Sequence, residues 1–290
     1  MLTRRVVNRS LNELARLCFG LGRRTAAIAE KLNRPPVPPV SHPQNARFKD
    51  LHLGRRAFVI GNGPSLGNQD ISALKGELLF TMNSFDRHPL CRQLQPVYHF
   101  LADPGVNDNS PVQEAILARI EDGIGESTVF IPAWPSLESA TLQHWRSAGQ
   151  LYPVPILGAL SDGPVTVFDM CVGFPGVQTV AHFALMAAVY MGCNPIYLTG
   201  LDSDWAASPY LYRHFYREPT LDETWDRTEY EKRWTYKHIL EATLTMWKGY
   251  ENLLEFCGRR KVDVYNCTAG GLLDIFPRKR LENVIGDAQR

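Results

Sequence analysis

Ala57-Phe58-Val59-Ile60-Gly61-Asn62-Gly63-Pro64-Ser65-Leu66 sets the fold class. Its first four residues are a short apolar run and read as a strand. The run breaks into Gly61 and Gly63, which let a backbone approach a ligand closely. Pro64 and Ser65 then lead towards a helical segment around Gln69 to Lys75. Free amides in such a loop could hold a phosphate. The loop is not a Walker sequence, because no Gly-Lys-Ser/Thr follows. Nor is it a dinucleotide fingerprint, because Gly67 arrives one residue late.

Six more apolar runs follow this one: Leu78 to Met82, Val97 to Leu101, Thr128 to Ile131, Val165 to Phe168, Ile196 to Thr199 and Val262 to Tyr265. Helical stretches alternate with them. Ser110-Pro111-Val112-Gln113 combines an N-cap serine, proline at the first helical position and a capping-box glutamine. Gly192 closes a helix over 177 to 191 as a C-cap glycine does. Strands alternating with helices predict an α/β fold, a Rossmann-like, mostly parallel sheet with helices on both faces.

In open α/β sheets ligands bind beyond the carboxyl ends of the strands. Five predicted strands deliver small or polar groups to that edge: Gly61 to Leu66, Asn83, Asp103, Gly200-Leu201-Asp202-Ser203-Asp204, and Asn266-Cys267-Thr268-Ala269-Gly270-Gly271. Turn chemistry explains any one of them, whereas all five together point to a ligand site. Asp202-Ser203-Asp204 has the D-x-D spacing with which many glycosyltransferases hold a metal-bound nucleotide diphosphate, so Asp202 and Asp204 are metal candidates. The alternative is a loop in which Asp202 accepts from backbone amides or from a ribose.

Residues 205 to 236 carry nine aromatics, against about three at the chain's 10% average. With an acidic balance over 201 to 232, this composition suits either a lid over about 203 to 236 or a packed helical cap. Trp205, Tyr210, Tyr212 and Tyr216 are its acceptor-binding candidates. His214 is the natural general base there, because an imidazole accepts a hydroxyl proton near neutral pH. His238 is its competitor.

The chain has 290 residues, with 31 basic and 30 acidic side chains and 44% apolar residues. These values exclude a disordered chain, a collagen-like repeat and a globally basic nucleic-acid coat. The net +1 hides an asymmetry. Residues 1 to 34 hold eight Lys/Arg against Glu13 and Glu30, a balance of +6, leaving about −5 for the rest. Apolar groups at Leu2, Val6, Val7, Leu14, Leu17, Cys18, Leu21, Ile28 and Leu32 make this segment an amphipathic helix. It either docks on the body or a second subunit, or lies on anionic lipid. A proline-rich linker over 35 to 46 separates it from a catalytic domain over 47 to 290. The acidic body argues against nucleic acid as a partner. Six scattered cysteines read as reduced thiols, and no signal peptide or membrane-spanning segment is evident. A cytoplasmic protein is expected, with the basic helix a candidate tether at the inner face of the membrane.

These residues also resemble a known family. Phe58 to Leu66, followed by Asp70, Leu74 and Asn83, looks like the opening of the MptE-like family. That family is named for an archaeal 6-hydroxymethyl-dihydropterin pyrophosphokinase and has many bacterial members in surface-polysaccharide loci. Thr179-Val180 through Leu185, then Tyr190-Met191-Gly192 and Ile196 to Asp202, is similar to its second motif. His214-Phe215 and Tyr265 to Arg278 are similar to its tail. The same Gly-Asn-Gly-Pro-Ser-Leu start and Gly-Leu-Asp strand end resemble the bacterial sialyltransferases that use CMP-activated sugars. That resemblance implies nucleotide contacts from Asn62, Gly63 and Pro64, counted here with their neighbours Gly61 and Ser65, and from Asn83, with Asp103 in place of an asparagine. It further implies that Thr179 and Val180 sit at a helix start beside the nucleotide and that His214 deprotonates the acceptor.

Three functions follow as expectations. The first is a glycosyltransferase moving a sugar from a nucleotide donor, CMP-linked by the resemblance, to a surface-glycan or glycolipid acceptor, with no cofactor. The second is a pyrophosphokinase using ATP and Mg2+, for which Asp103, Asp202 and Asp204 could be ligands. The third is a nucleotide-binding protein without catalysis.

Overall fold

Strand β1 (Ala57–Ile60) is completely buried, as a strand is where both faces of its sheet are covered. Its residues divide between two cores. Ala57 and Val59 join Phe80, Phe100 and Leu198 in one, whereas Phe58 and Ile60 join Leu79, Leu101 and Phe130 in the other. The alternation is the period-two geometry of a strand with apolar layers on both sides.

The structure is a computed structural model that describes residues 41–102, 110–125, 128–133, 139–165, 167–207, 214–216 and 235–286. The expected basic helix, most of the proline linker, Asp103, Tyr210, Tyr212 and most of the aromatic segment lie outside the described residues.

The strands that follow are β2 (Leu78–Met82), β3 (Tyr98–Leu101), β4 (Val129–Pro132), β5 (Ile156–Leu157), β6 (Phe174–Pro175), β7 (Ile196–Thr199) and β8 (Val264–Asn266). The main sheet has the order β4-β3-β2-β1-β7-β8, and every pairing in it is parallel. A separate short parallel pair joins β5 to β6. In the main sheet the chain winds outward from β1 to β4 and then returns to place β7 on the other flank of β1. That reversal puts the topological switch point between β1 and β7. The fold is a Rossmann-like α/β sheet.

Helix α1 (Pro111–Ile124) buries Leu117, Ile120 and Ile124 in the same core as α2 (Ala140–Ser147). Ser110 Oγ accepts from the Gln113 amide at 3.2 Å, as its cap sequence predicts. Trp145 of α2 is fully buried and stacks on Phe130 with ring centroids 3.7 Å apart. In the other core, all eleven residues of α3 (Val180–Tyr190) are buried. Gly192 follows its end at φ 80°, with its amide on Val189 O. Helix α4 (Tyr236–Arg259) is amphipathic and buries Met246, Gly249, Tyr250 and Leu253 on its inner side. Helix α5 (Leu281–Gly286) adds Leu281 and Val284 to the core that holds α1 and α2.

Two expected elements differ. The run from Val165 to Phe168 forms no strand in its described residues. Phe168 instead stacks on Phe174 at 5.2 Å and lies under the guanidinium of Arg260, so its apolarity serves side-chain packing. The helical segment expected around Gln69 to Lys75 is only a 3-10 turn over Ser72–Leu74, preceded by another over Pro64–Asn68. The Asp70 carboxylate accepts from the Ser72 amide at 2.9 Å, which favours a local turn over a continuous helix.

Candidate functional site

The loops after β1, β7 and β8 lock together at the switch point. Asp202, nearly covered at 9% exposure, accepts from Ser65 Oγ at 2.8 Å and from the Ser65 amide at 3.2 Å. Its own carbonyl accepts from the Leu272 amide at 2.7 Å. Burial raises the Asp202 pKa above the usual carboxylate value; the Ser65 hydrogen bonds oppose that shift, and the charge of Asp204 adds to it. Gly63 is required here by proximity alone. Its φ of −64° suits any residue, but an added Cβ would stand 1.8 Å from Asp202 Oδ2.

Further ties come from residues to which sequence reasoning gives no role. Gln69 Oε1 accepts from Thr199 Oγ1 at 3.0 Å, while its Nε2 donates to Cys267 O at 2.9 Å. Arg278 donates to the carbonyls of Thr268, Gly270, Gly271 and Leu273, holding the β8 loop in shape. Thr268 Oγ1 accepts from the Leu201 amide at 3.1 Å. The cluster of small and polar residues in these loops is thus largely self-supporting.

The first loop's amides have defined partners. Gly63 donates to Gly200 O, Ser65 to Asp202 and Leu66 to Gly63 O. Interlocking with β7 and local turn formation therefore consume three of the donors that a phosphate cradle would use. Asn62 is different. Its Nδ2 donates to Met82 O at 2.9 Å, while its buried Oδ1 has no hydrogen-bonding partner among the described residues. Asn83 follows β2 in a left-handed conformation at φ 49°, and its amide donates to Phe100 O.

The described part of the aromatic segment docks on this edge. The Phe215 amide donates to Asn62 O at 3.0 Å, and the Phe215 ring meets His88 edge-on at 5.1 Å. Tyr216 stacks on His214 at 5.0 Å and lies beneath the Arg87 guanidinium, 5.4 Å from the ring centroid. Nothing in the local sequence singles out Arg87 beyond its place four residues after Asn83. His214 is exposed, and its neighbour's bond to Asn62 places it beside the β1 loop.

The other candidates fall as follows. Thr179 caps α3, its Oγ1 accepting from the Ala181 amide at 3.4 Å, and Val180 is the first helical residue. Trp205 is half-buried and packs against the core that holds α3, so its described packing is that of a core residue. His238 is exposed on the first turn of α4, where its amide donates to Thr235 Oγ1 at 3.4 Å. Among the described residues no group of three or more His, Cys, Asp or Glu side chains could hold a metal, and no helix is long and apolar enough to cross a membrane.

No protein-family model matches the sequence, and no curated protein sequence matches it either. Solved structures do. The MAf glycosyltransferase from Magnetospirillum magneticum AMB-1 is similar over 81% of this chain, with 18% identity and a TM-score of 0.45. This chain spans 37% of that structure's length. The sialyltransferase CstII from Campylobacter jejuni, in complex with the substrate analogue CMP-3FNeuAc, is similar over 77% of this chain and 85% of its own, with 14% identity and a TM-score of 0.42. A CST-II structure in complex with a trisaccharide acceptor and CMP gives the same values.

Proposed function

We propose that the protein is a glycosyltransferase that moves a sugar from a nucleotide donor, CMP-linked by the motif resemblance, to a hydroxyl of a glycan or glycolipid. The observation that carries this is Asn62 Oδ1, a buried acceptor without a partner at the switch point of the sheet. Such an oxygen is costly to leave unpaired, and a ribose hydroxyl or base amine would satisfy it. Because three of the β1 loop's amides are committed, the phosphate falls to the start of α3, at Thr179 and Val180, where the helix dipole favours an anion.

His214 then acts as the base. Its ring takes the proton from the acceptor hydroxyl, the oxygen attacks the anomeric carbon, and the bond from that carbon to the donor phosphate breaks. The nucleotide leaves with the bonding electrons. Asp202 serves the site by holding Ser65 and the loops in register.

Thermal unfolding with CMP, CDP, UDP and ATP, each with and without Mg2+, tests this. A ligand at a hundred times its Kd stabilises by about 2.7 kcal/mol. For a body of this size that raises Tm by roughly 5–10 °C. CMP is expected to do so without metal, and Asn62→Ala to abolish the effect. Stabilisation by ATP with Mg2+ alone would overturn the proposal in favour of diphosphate transfer to a pterin.

A further inference from the structure

Beside the start of α3 lies a cavity with a volume of about 210 Å3. It opens between the first turn of α3, the middle of α4 and the segments around β5 and β6. Much of its wall is bare backbone. A Cβ on Gly176 would meet Gly158 O at 2.1 Å, and one on Gly249 would meet His182 Cε1 at 2.5 Å. The polar side chains around it, Ser161, Gln178 and Thr245, are all neutral.

His182 contributes to the wall of this cavity. Its ring is fully buried, packed against Gly249 and edge-on to Tyr250 at 4.2 Å, and neither ring nitrogen has a hydrogen-bonding partner among the described residues. A buried imidazole in a close-packed core ordinarily bonds through at least one nitrogen. Burial keeps this one neutral, its pKa driven down to about 3; the Met246 backbone pulls the other way without closing a hydrogen bond of normal geometry. A neutral imidazole offers one donor and one acceptor, the complement of a hydroxyl. A ligand hydroxyl, directly or through a water it carries, supplies what His182 lacks.

We propose that this cavity is the subsite for a neutral sugar ring of the acceptor, with His182 recognising its hydroxyls. The volume equals about seven waters, near the size of one monosaccharide, and a lining without charge disfavours a phosphate or carboxylate. The inference rests on the glycosyltransferase reading for the word acceptor, whereas sugar binding itself can be tested separately.

Saturation-transfer NMR on the full chain, with methyl glycosides of glucose, galactose, mannose, N-acetylglucosamine and N-acetylgalactosamine, is the test. At least one glycoside is expected to bind. His182→Leu should weaken it ten-fold or more while the protein stays folded, because the replacement removes two unpaired nitrogens and keeps an apolar side chain. Thr245→Trp, which fills the cavity while leaving His182 in place, should block binding as well. Both variants should keep the CMP-induced shift in Tm; a variant that loses it has been disturbed globally, and the assignment falls. The two readings fail separately. A wild-type protein that ignores CMP refutes the enzyme reading, whereas one that binds no glycoside, or binds it through both substitutions, overturns this one.

Discussion

Replacing Gly63 by alanine probes the joint on which the site depends. The backbone at Gly63 is in an ordinary extended conformation, so the new methyl costs nothing in φ and ψ. It costs in space. The added carbon would lie 1.8 Å from Asp202 Oδ2, 2.7 Å from its Cγ and 2.8 Å from Gly200 O. Gly200 O is already paired with the Gly63 amide, so the carboxylate has to move, and both Ser65 hydrogen bonds go with it. Overpacking costs about 1–3 kcal/mol. Loss of hydrogen bonds to a charged group adds about 1.5–3 kcal/mol. The expected destabilisation is therefore about 3–5 kcal/mol. That corresponds to a Tm lower by roughly 6–20 °C.

Urea unfolding of the wild type, Gly63→Ala, Asp202→Ala and the double variant measures this. Asp202→Ala removes the atoms that clash worst, so Gly63→Ala should cost only about 1 kcal/mol in that background, a coupling of about 2 kcal/mol or more. Additivity within about 0.5 kcal/mol, or a Gly63→Ala protein as stable as wild type, would contradict this account of the joint.

Two further substitutions test the same picture elsewhere. Because burial raises the Asp202 pKa, the ionised carboxyl is disfavoured in the folded protein above that raised value, and the cost fades as pH falls towards the ordinary 3.8. Asp202→Asn should hence gain stability over wild type at pH 7 and lose most of that advantage by pH 4, and a pH-independent difference in urea midpoints would show the premise wrong. In α4, Gly249→Ala should destabilise by about 1–3 kcal/mol through contact with His182, although alanine normally favours a helix interior. The sign should reverse in a His182→Ala background, and thermal melts of the four proteins would show it.

Much of the sheet is legible in the chain. Central parallel strands are short and apolar on both faces, so Ala57–Ile60, Leu78–Met82 and Ile196–Thr199 announce themselves without any tertiary information. The run from Val165 to Phe168 looks the same, yet Phe168 serves aromatic packing, because apolarity records burial and not pairing. The site is less legible. Asp202 reads from its surroundings as either a metal ligand or a loop carboxylate, and its Ser65 contacts span 137 positions of sequence that no local pattern encodes.

Glycine, asparagine and aspartate cannot continue an apolar run, so the polar loops that end several parallel strands are written locally in the chain. What those loops do with their hydrogen bonds is not. Strand order brings β1 beside β7, and the resulting contact commits the Gly63 and Ser65 amides to protein partners. It also accompanies a packing that leaves Asn62 Oδ1 and the His182 nitrogens buried without partners among the described residues. Whether a polar atom is satisfied depends on neighbours distant in the chain, and that is a property of packing.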